Sequence, residues 1–267
     1  MTTTEIPRED LYARAHAASE AGRFEEAARY GEQLAERDLL SPGLDDTATH
    51  ITLINLALAN FGLGRAARSE ELLNRVLESE LRTLGPDHGY PWMTRALLAE
   101  AVGAQGRYEE AAAHLQQVLD RAEAHGWPRH DAAIRARLAQ ARVLGRQQHW
   151  DRALPLARQA ATEAAAAIPI PVALSARQLL GTCLRQTGEL EEAELVTRSV
   201  LEDRRTYNGT THPFTLEAAS DLVLVLEAAG TPGRAREVAE EWAAPACATL
   251  RGDHTAVAVL TAALARP

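Results

Sequence analysis

The chain has 267 residues, of which 46% are apolar but only 4% aromatic, and it carries a net charge of −9 at pH 7. An acidic chain lacks the basic surface that a general nucleic-acid binder needs, so we expect no nucleic-acid partner. No apolar run approaches the roughly 18 residues of a membrane span, and residues 1–10 are too polar for a signal peptide. We therefore expect a cytoplasmic protein with no membrane partner.

Cys183 and Cys247 lack the spacing of a disulfide framework, and we expect both thiols to be buried and reduced.

A six-residue pattern recurs along the chain. It consists of a glycine, an aromatic residue two positions later and an alanine five positions later, as in Gly106–Ala111. Complete or degraded copies begin at positions 22, 64, 106, 148, 188 and 230, at intervals of 42, 42, 42, 40 and 42. Such a fixed interval indicates an array of repeated helix pairs. Abundant alanine and the scarcity of alternating β-branched runs predict an all-α protein.

Each copy has the features of a tight turn between two helices. The glycine is expected to end the first helix in a left-handed conformation, which it adopts without steric cost. The aromatic residue, which is Phe24, Tyr108 or Trp150 in three of the six copies, is expected to fill the gap between the paired helices. The alanine would let the second helix approach closely, and glutamates in the first turn of that helix suit the positive end of its dipole.

The pattern also predicts the boundaries of the repeats in chain order. We expect a flexible N-terminal tail at residues 1–7 and a single repeat domain at residues 8–267. The repeats are expected at about 8–41, 45–84, 90–126, 129–168, 170–207 and 213–250, followed by a capping helix at 255–265. No linker inside this span is long enough to separate further domains.

Four histidines recur in the linkers between repeats, at the same interval as the turns. They are His88, His130, His212 and His254. Equivalent positions in neighbouring repeats lie about 10 Å apart, the usual helix-packing distance, whereas zinc ligands converge within about 2 Å of one ion. We therefore interpret the histidines as linker structure and expect neither a metal nor another cofactor.

The turns and linkers resemble those of the tetratricopeptide repeat. The 42-residue interval and the linker Leu84–His88 resemble the kinesin-light-chain type of that repeat, which is common in bacterial regulators. The resemblance covers roughly residues 9–265. It implies a right-handed α-solenoid of six helix pairs plus the capping helix. It also implies that the first helix of each pair lines a concave groove, where such proteins bind peptides or extended segments of partner proteins.

Arginines without nearby acidic residues mark two of these first helices. Arg135, Arg142 and Arg146 are spaced by 7 and 4 residues, which places them on one helix face. By the resemblance, Arg135, Arg142 and Arg185 fall at ligand-contacting positions. We call these three the arginine strip, with Arg146 at its rim. Asn55 resembles the asparagine with which such repeats hold a peptide backbone.

The arginine strip predicts an acidic ligand. An arginine fork can hold a carboxylate through two parallel hydrogen bonds, so we expect an acidic peptide segment or a C-terminal carboxylate. Glu217 and Asp221, in the first helix of the sixth repeat, would lie towards any basic end of that ligand. A second row, Arg95, Arg137 and Arg177, falls on another face and is the second choice for the binding site. By the resemblance that position is interior, so these arginines would either snorkel or pair with acids of the second helices.

Three functions stay open at this level. We favour a non-catalytic scaffold or sensor that binds a peptide or a partner protein in the groove. The alternatives are an enzyme or small-ligand protein that uses the same groove, and a purely structural module of a larger regulator. Because the chain has no nucleophile motif, phosphate loop or framed carboxylate pair, we expect no enzyme. An ordinary solvated surface is the competing interpretation of the arginines.

The last predicted helix, at residues 255–265, carries no charge and is apolar nearly all round. A helix of that kind is usually buried on every side, whereas the end of a solenoid normally needs a polar outer face. We therefore expect this helix to pack on something, most simply on a second copy of the chain, through Val257, Leu260 and Leu264. A homodimer is the simplest such assembly; a different partner, or an alanine-rich surface that tolerates water, is the alternative.

Overall fold

The computed structural model describes residues 6–127, 130–167 and 170–265, and these ranges contain thirteen α-helices and no strand. The helices are α1 Arg8–Glu20, α2 Phe24–Leu40, α3 Thr47–Gly62, α4 Ala66–Thr83, α5 Gly89–Ala104, α6 Tyr108–Ala124, α7 Asp131–Arg146, α8 Trp150–Ala167, α9 Ile170–Thr187, α10 Leu190–Asn208, α11 Pro213–Ala228, α12 Pro232–Thr249 and α13 Thr255–Ala265. The all-α fold of six helix pairs and a closing helix is confirmed. Most of the expected tail and parts of two expected linkers, residues 128–129 and 168–169, lie outside the described residues.

The helices fall into two compact units, Met1–Ala139 and Gln140–Pro267. The first unit holds α1 to α6 and the start of α7, and the second holds the rest of α7 and α8 to α13. In both units the odd-numbered helices are the first helices of their pairs and the even-numbered helices are the second helices. That all six pairs form one domain stays a prediction.

The turn within each pair has the backbone conformation that the pattern predicts. Five of the six lead positions are glycines with φ between 69° and 87°, namely Gly22, Gly64, Gly106, Gly188 and Gly230. Gln148 takes the sixth position with φ 63°. In five of the six turns the residue after the lead position donates back to the last turn of the first helix, as in the 2.8 Å bond from Arg23 N–H to Ala18 O. This bond satisfies a carbonyl that the end of the helix would otherwise leave without a partner.

Close helix packing explains the aromatic and small positions of the pattern. The Trp150 ring of α8 lies against Gly145 of α7, where an added Cβ would be only 2.6 Å from the ring. The Phe24 ring of α2 lies against Gly62 of α3, so this ring also fills a gap towards the next pair. Ala111 is fully buried on α6, which places a small side chain where the helices approach.

The linker histidines have a structural role that sequence analysis predicts only in outline. Each begins the next first helix, because its Nδ1 accepts a hydrogen bond from the backbone N–H two residues later. These bonds measure 3.1–3.2 Å at His88, His130, His212 and His254. In the second repeat the Asp46 carboxylate caps α3 in the same way, accepting from Ala48 N–H at 2.8 Å. The expectation of linker structure is confirmed, and its physical basis is helix capping.

The apolar helix α13 packs on α11 and α12 of its own chain. Val257 and Leu260 are buried in the core of the second unit, and Leu264 packs against that core while partly exposed. The side chains that we expected at a contact between copies therefore cover the end of their own unit. A second copy at this place would meet the outward-facing Thr261 and Ala262 instead.

Two further findings concern the thiols and the length of the helices. Cys183 is buried on α9, but Cys247 is exposed on α12, so the expectation of two buried thiols is wrong for Cys247. Within the described part of the chain, no helix is both long and apolar enough to cross a bilayer.

Candidate functional site

A polar pocket lies on the face that the first helices form in the second unit. It has a volume of about 210 Å³. Helices α7, α9 and α11 supply most of its wall, and one arginine reaches it from the second helix α10. The lining residues are Arg142, Ser175, Gln178, Leu179, Thr182, Arg204, Phe214, Glu217 and Asp221. We call this the polar pocket.

Arg204 is the most unusual group of the polar pocket, because it is a cation with only 1% of its surface exposed. Its Nη2 donates to Ser175 Oγ at 3.0 Å and lies 3.5 Å from Gln178 Oε1. The guanidinium carbon stands 5.0 Å from the centre of the Phe214 ring, which favours a cation–π contact. Nε and Nη1 have no hydrogen-bond acceptor in the part of the chain that the structure describes. Burial lowers the pKa of Arg204 to about 10, which still leaves it charged at neutral pH.

Two carboxylates of α11 also line the polar pocket. Glu217 and Asp221 are four residues apart and therefore share a helix face. Asp221 Oδ2 accepts a 2.8 Å hydrogen bond from Gln178 Nε2. Burial raises the pKa of Asp221 to about 6, while the Gln178 bond and the charge of Arg185 act in the opposite direction. Glu217 Oε1 lies 3.5 Å from His254 Nε2, and this contact raises the pKa of His254.

The structure brings several sequence-predicted residues of the second unit together. Arg142, Glu217 and Asp221 line the polar pocket, and Arg185 is close enough to influence the charge of Asp221. Arg142 also lines a neighbouring, more open cavity of about 360 Å³ together with Arg146. Acidic and basic side chains thus share one small site, whereas the sequence predicted them at separate places along a groove.

The candidates of the first unit lie elsewhere. Asn55 lines a mostly apolar pocket of about 190 Å³ beside Tyr12 and Leu58. Arg135 pairs with Asp131, one turn earlier on its own helix, with Nε and Oδ1 3.0 Å apart. The Arg135 charge therefore already has a local acidic partner.

The second row of arginines reaches towards the second helices. Arg177 Nη1 pairs with Asp203 of α10 at 2.6 Å. Arg95 Nη1 donates to Gln117 Oε1 of α6 at 2.6 Å, and burial lowers the pKa of Arg95. Arg137 is partly buried on α7. The arrangement of Arg95 and Arg177 favours local pairing within a helix pair for this row.

Arg204 and its partners Ser175, Gln178 and Phe214 were not predicted from the sequence. A signal for Arg204 was present, because it continues the buried stripe of α10 that runs through Ala193, Thr197 and Val200 at spacings of 4, 3 and 4. An arginine at a position that should be apolar is a reason to look for a polar site. This signal was not recognised because α10 carries many other charged residues.

Comparisons with known proteins agree with this architecture. Two tetratricopeptide repeat models match residues 46–124 and 138–209, together more than half of the chain. No curated protein matches it. The TPR-like repeats of a Podosopora anserina protein assigned as a kinesin light chain are similar with a TM-score of 0.57 at 22% identity, over 74% of this chain and 94% of that one.

Two other solved structures share the fold at lower identity. BtubC (BKLC) from P. vanneervenii has a TM-score of 0.60 at 16% identity, over 89% of this chain and 91% of its own. The Rap conjugation gene regulator of plasmid pLS20, solved with the Phr* peptide, has a TM-score of 0.67 at 12% identity, over 99% and 78%. The helix pairs, with a residue of left-handed backbone conformation in each turn and an interval of 42 residues, agree with these matches. The chain belongs to the tetratricopeptide repeat family.

Proposed function

We propose that this protein is a non-catalytic scaffold or sensor that binds a peptide, or an extended segment of a partner protein, on the face of its first helices. Membership of the tetratricopeptide repeat family supports an interaction scaffold. A Rap regulator with the same fold was solved with a peptide bound. The observation that carries the proposal is the polar pocket, which gathers Arg142, Arg204 and two carboxylates on that face.

The ligand that we propose is acidic. Arg142 lies between the polar pocket and the open cavity beside it, with Arg146 at the rim and Arg185 on the neighbouring first helix. Packed helices lie about 10 Å apart, which matches acidic residues three positions apart in an extended chain at about 3.5 Å per residue. Arg135 is a secondary contact in this proposal, because Asp131 already holds it.

The first test reverses charges in the arginine strip. Peptides are selected on the immobilised protein from a displayed random library with free C-termini, and the selected sequences are synthesised. We expect enrichment in acidic residues or an acidic C-terminus, and weaker binding at higher salt, because exposed charges are screened beyond about 8 Å at physiological ionic strength. The double variant Arg142→Glu with Arg185→Glu should lose binding of these peptides while keeping its helix content.

A matched control carries the same change in charge on the second helices. Arg152→Glu with Arg236→Glu alters exposed arginines of α8 and α12 in the same unit. If only the overall charge matters, both double variants will lose binding equally. Selected peptides that are neutral or basic, or full binding by the Arg142 and Arg185 variant, would show that the acidic-ligand proposal is wrong.

A further inference from the structure

The buried guanidinium of Arg204 forms no ion pair with a carboxylate of any described residue. Ser175 accepts one hydrogen bond from Nη2, but Nε and Nη1 have no acceptor among the described residues. A buried charge without full hydrogen bonding is destabilising, and proteins usually compensate it with a carboxylate. A carboxylate bound in the polar pocket would therefore compensate the charge of Arg204.

Neither carboxylate of the pocket forms an ion pair with Arg204, although the negative charge of Glu217 acts to raise the pKa of Arg204. Glu217 contacts His254 at 3.5 Å, and Asp221 accepts from the Gln178 amide at 2.8 Å. The same amide separates Asp221 from Arg204. Its Oε1 is 3.5 Å from Nη2, which is at the outer limit for a hydrogen bond. The neutral contact in front of the cation is thus weak and can be displaced by a rotation of one side chain.

We propose that Arg204 is the anchor for a single carboxylate of the ligand, which replaces Gln178 Oε1 and accepts hydrogen bonds from the guanidinium. This inference rests on the proposed function and names the group that the site recognises. The pocket volume of about 210 Å³ suits one amino-acid residue, because pockets for drug-sized ligands measure about 300–1,000 Å³. The carboxylate belongs either to the C-terminus of a peptide or to an aspartate or glutamate side chain.

The variant Arg204→Met distinguishes a purely structural role of Arg204 from a role in ligand binding. Methionine fills a similar space without a buried charge, so a binding role predicts a melting temperature that is unchanged or raised, together with lost binding. A structural role, through the Phe214 ring and Ser175, predicts a lower melting temperature instead. Arg198→Met, on the exposed side of α10, is the matched control and should change neither property.

Small probes isolate the carboxylate and distinguish its two sources. N-acetylglycine carries a terminal carboxylate, the amide of N-acetylaspartate carries only a side-chain carboxylate, and N-acetylglycinamide carries none. Each is titrated into the 15N-labelled full chain, and the Arg204 Nε–H and Gln178 amide resonances are followed, with Arg204→Met and Gln178→Ala for assignment. We expect these resonances to move with at least one carboxylate probe and not with N-acetylglycinamide. A response to the first probe alone assigns the site to a C-terminus, and a response to the second alone assigns it to a side chain.

Several results would overturn the inference. These are equal responses to N-acetylglycinamide, no response to either carboxylate probe, and shifts elsewhere in the pocket that persist in Arg204→Met. If that variant does not fold, Arg204→Lys carries the test, because it keeps the charge without the fork and should weaken probe binding about tenfold.

The library-selected peptides separate this inference from the proposed function. If the Arg142 and Arg185 double variant loses peptide binding while Arg204→Met retains it fully, the anchor is wrong and the scaffold proposal stands. If every variant binds the peptides as the parent does, both are wrong.

Discussion

The contact between Gly145 and Trp150 gives a stability prediction with a definite sign. A Cβ at position 145 would lie 2.6 Å from the Trp150 ring, closer than side chains normally approach. Replacing glycine by alanine inside a helix normally gains up to about 1 kcal/mol, but overpacking costs about 1–3 kcal/mol. Gly145→Ala should therefore destabilise the protein by up to about 2 kcal/mol, the difference between these two contributions.

Gly233 provides the matched control for this substitution. It is exposed on α12, and a Cβ there would meet nothing within 4 Å. Gly233→Ala should therefore stabilise the protein, although the chemical change is the same. The difference between the two variants isolates the ring contact at about 1–3 kcal/mol.

Urea unfolding followed by circular dichroism at 222 nm measures this difference through the midpoint and slope. In a Trp150→Leu background the ring is gone, so Gly145→Ala should no longer destabilise the chain. Equal gains from Gly145→Ala and Gly233→Ala, or a penalty that persists without the ring, would refute the packing argument.

Three further outcomes are expected. Ala111→Leu should cost about 1–3 kcal/mol in urea unfolding because Ala111 is fully buried at a helix approach, and an unchanged midpoint would contradict this. With a thiol reagent at pH 8, Cys247 should react quickly and the Cys247→Ser variant slowly, since burial raises the pKa of Cys183 to about 11. Burial raises the pKa of Asp221 from 3.8 to about 6, so the folded chain holds a proton that the unfolded chain releases. Stability should therefore fall as pH rises from about 4 to about 6, and Asp221→Asn should remove that part of the fall in melting temperature.

The sequence alone was enough for the repeating architecture of this protein. The interval of 42 residues, the left-handed position at Gly106 and the small residue at Ala111 are local requirements of a helix pair, so each leaves a mark in the sequence. The linker histidines were assigned to structure from their spacing, and the capping that the structure shows is also local, since it acts over two residues, as between His212 and Phe214. Arg142 and Glu217 were identified as candidates because an uncompensated charge on a first helix is visible without knowing the neighbouring helices.

Tertiary structure decided the chemistry of the candidate site. Gln178 and Asp221 meet across 43 residues, and Arg204 reaches Ser175 across 29, so helix packing and not sequence spacing determines these contacts. Burial of Arg204 is equally non-local, because the charges of α10 do not show which of its arginines faces the neighbouring helices. The apolar sequence of α13 correctly predicted that this helix is buried. Only the packing of the helices shows that it covers α11 and α12 of its own chain. Local conformation is set by neighbours along the chain, whereas burial and charge pairing depend on residues that folding alone brings together.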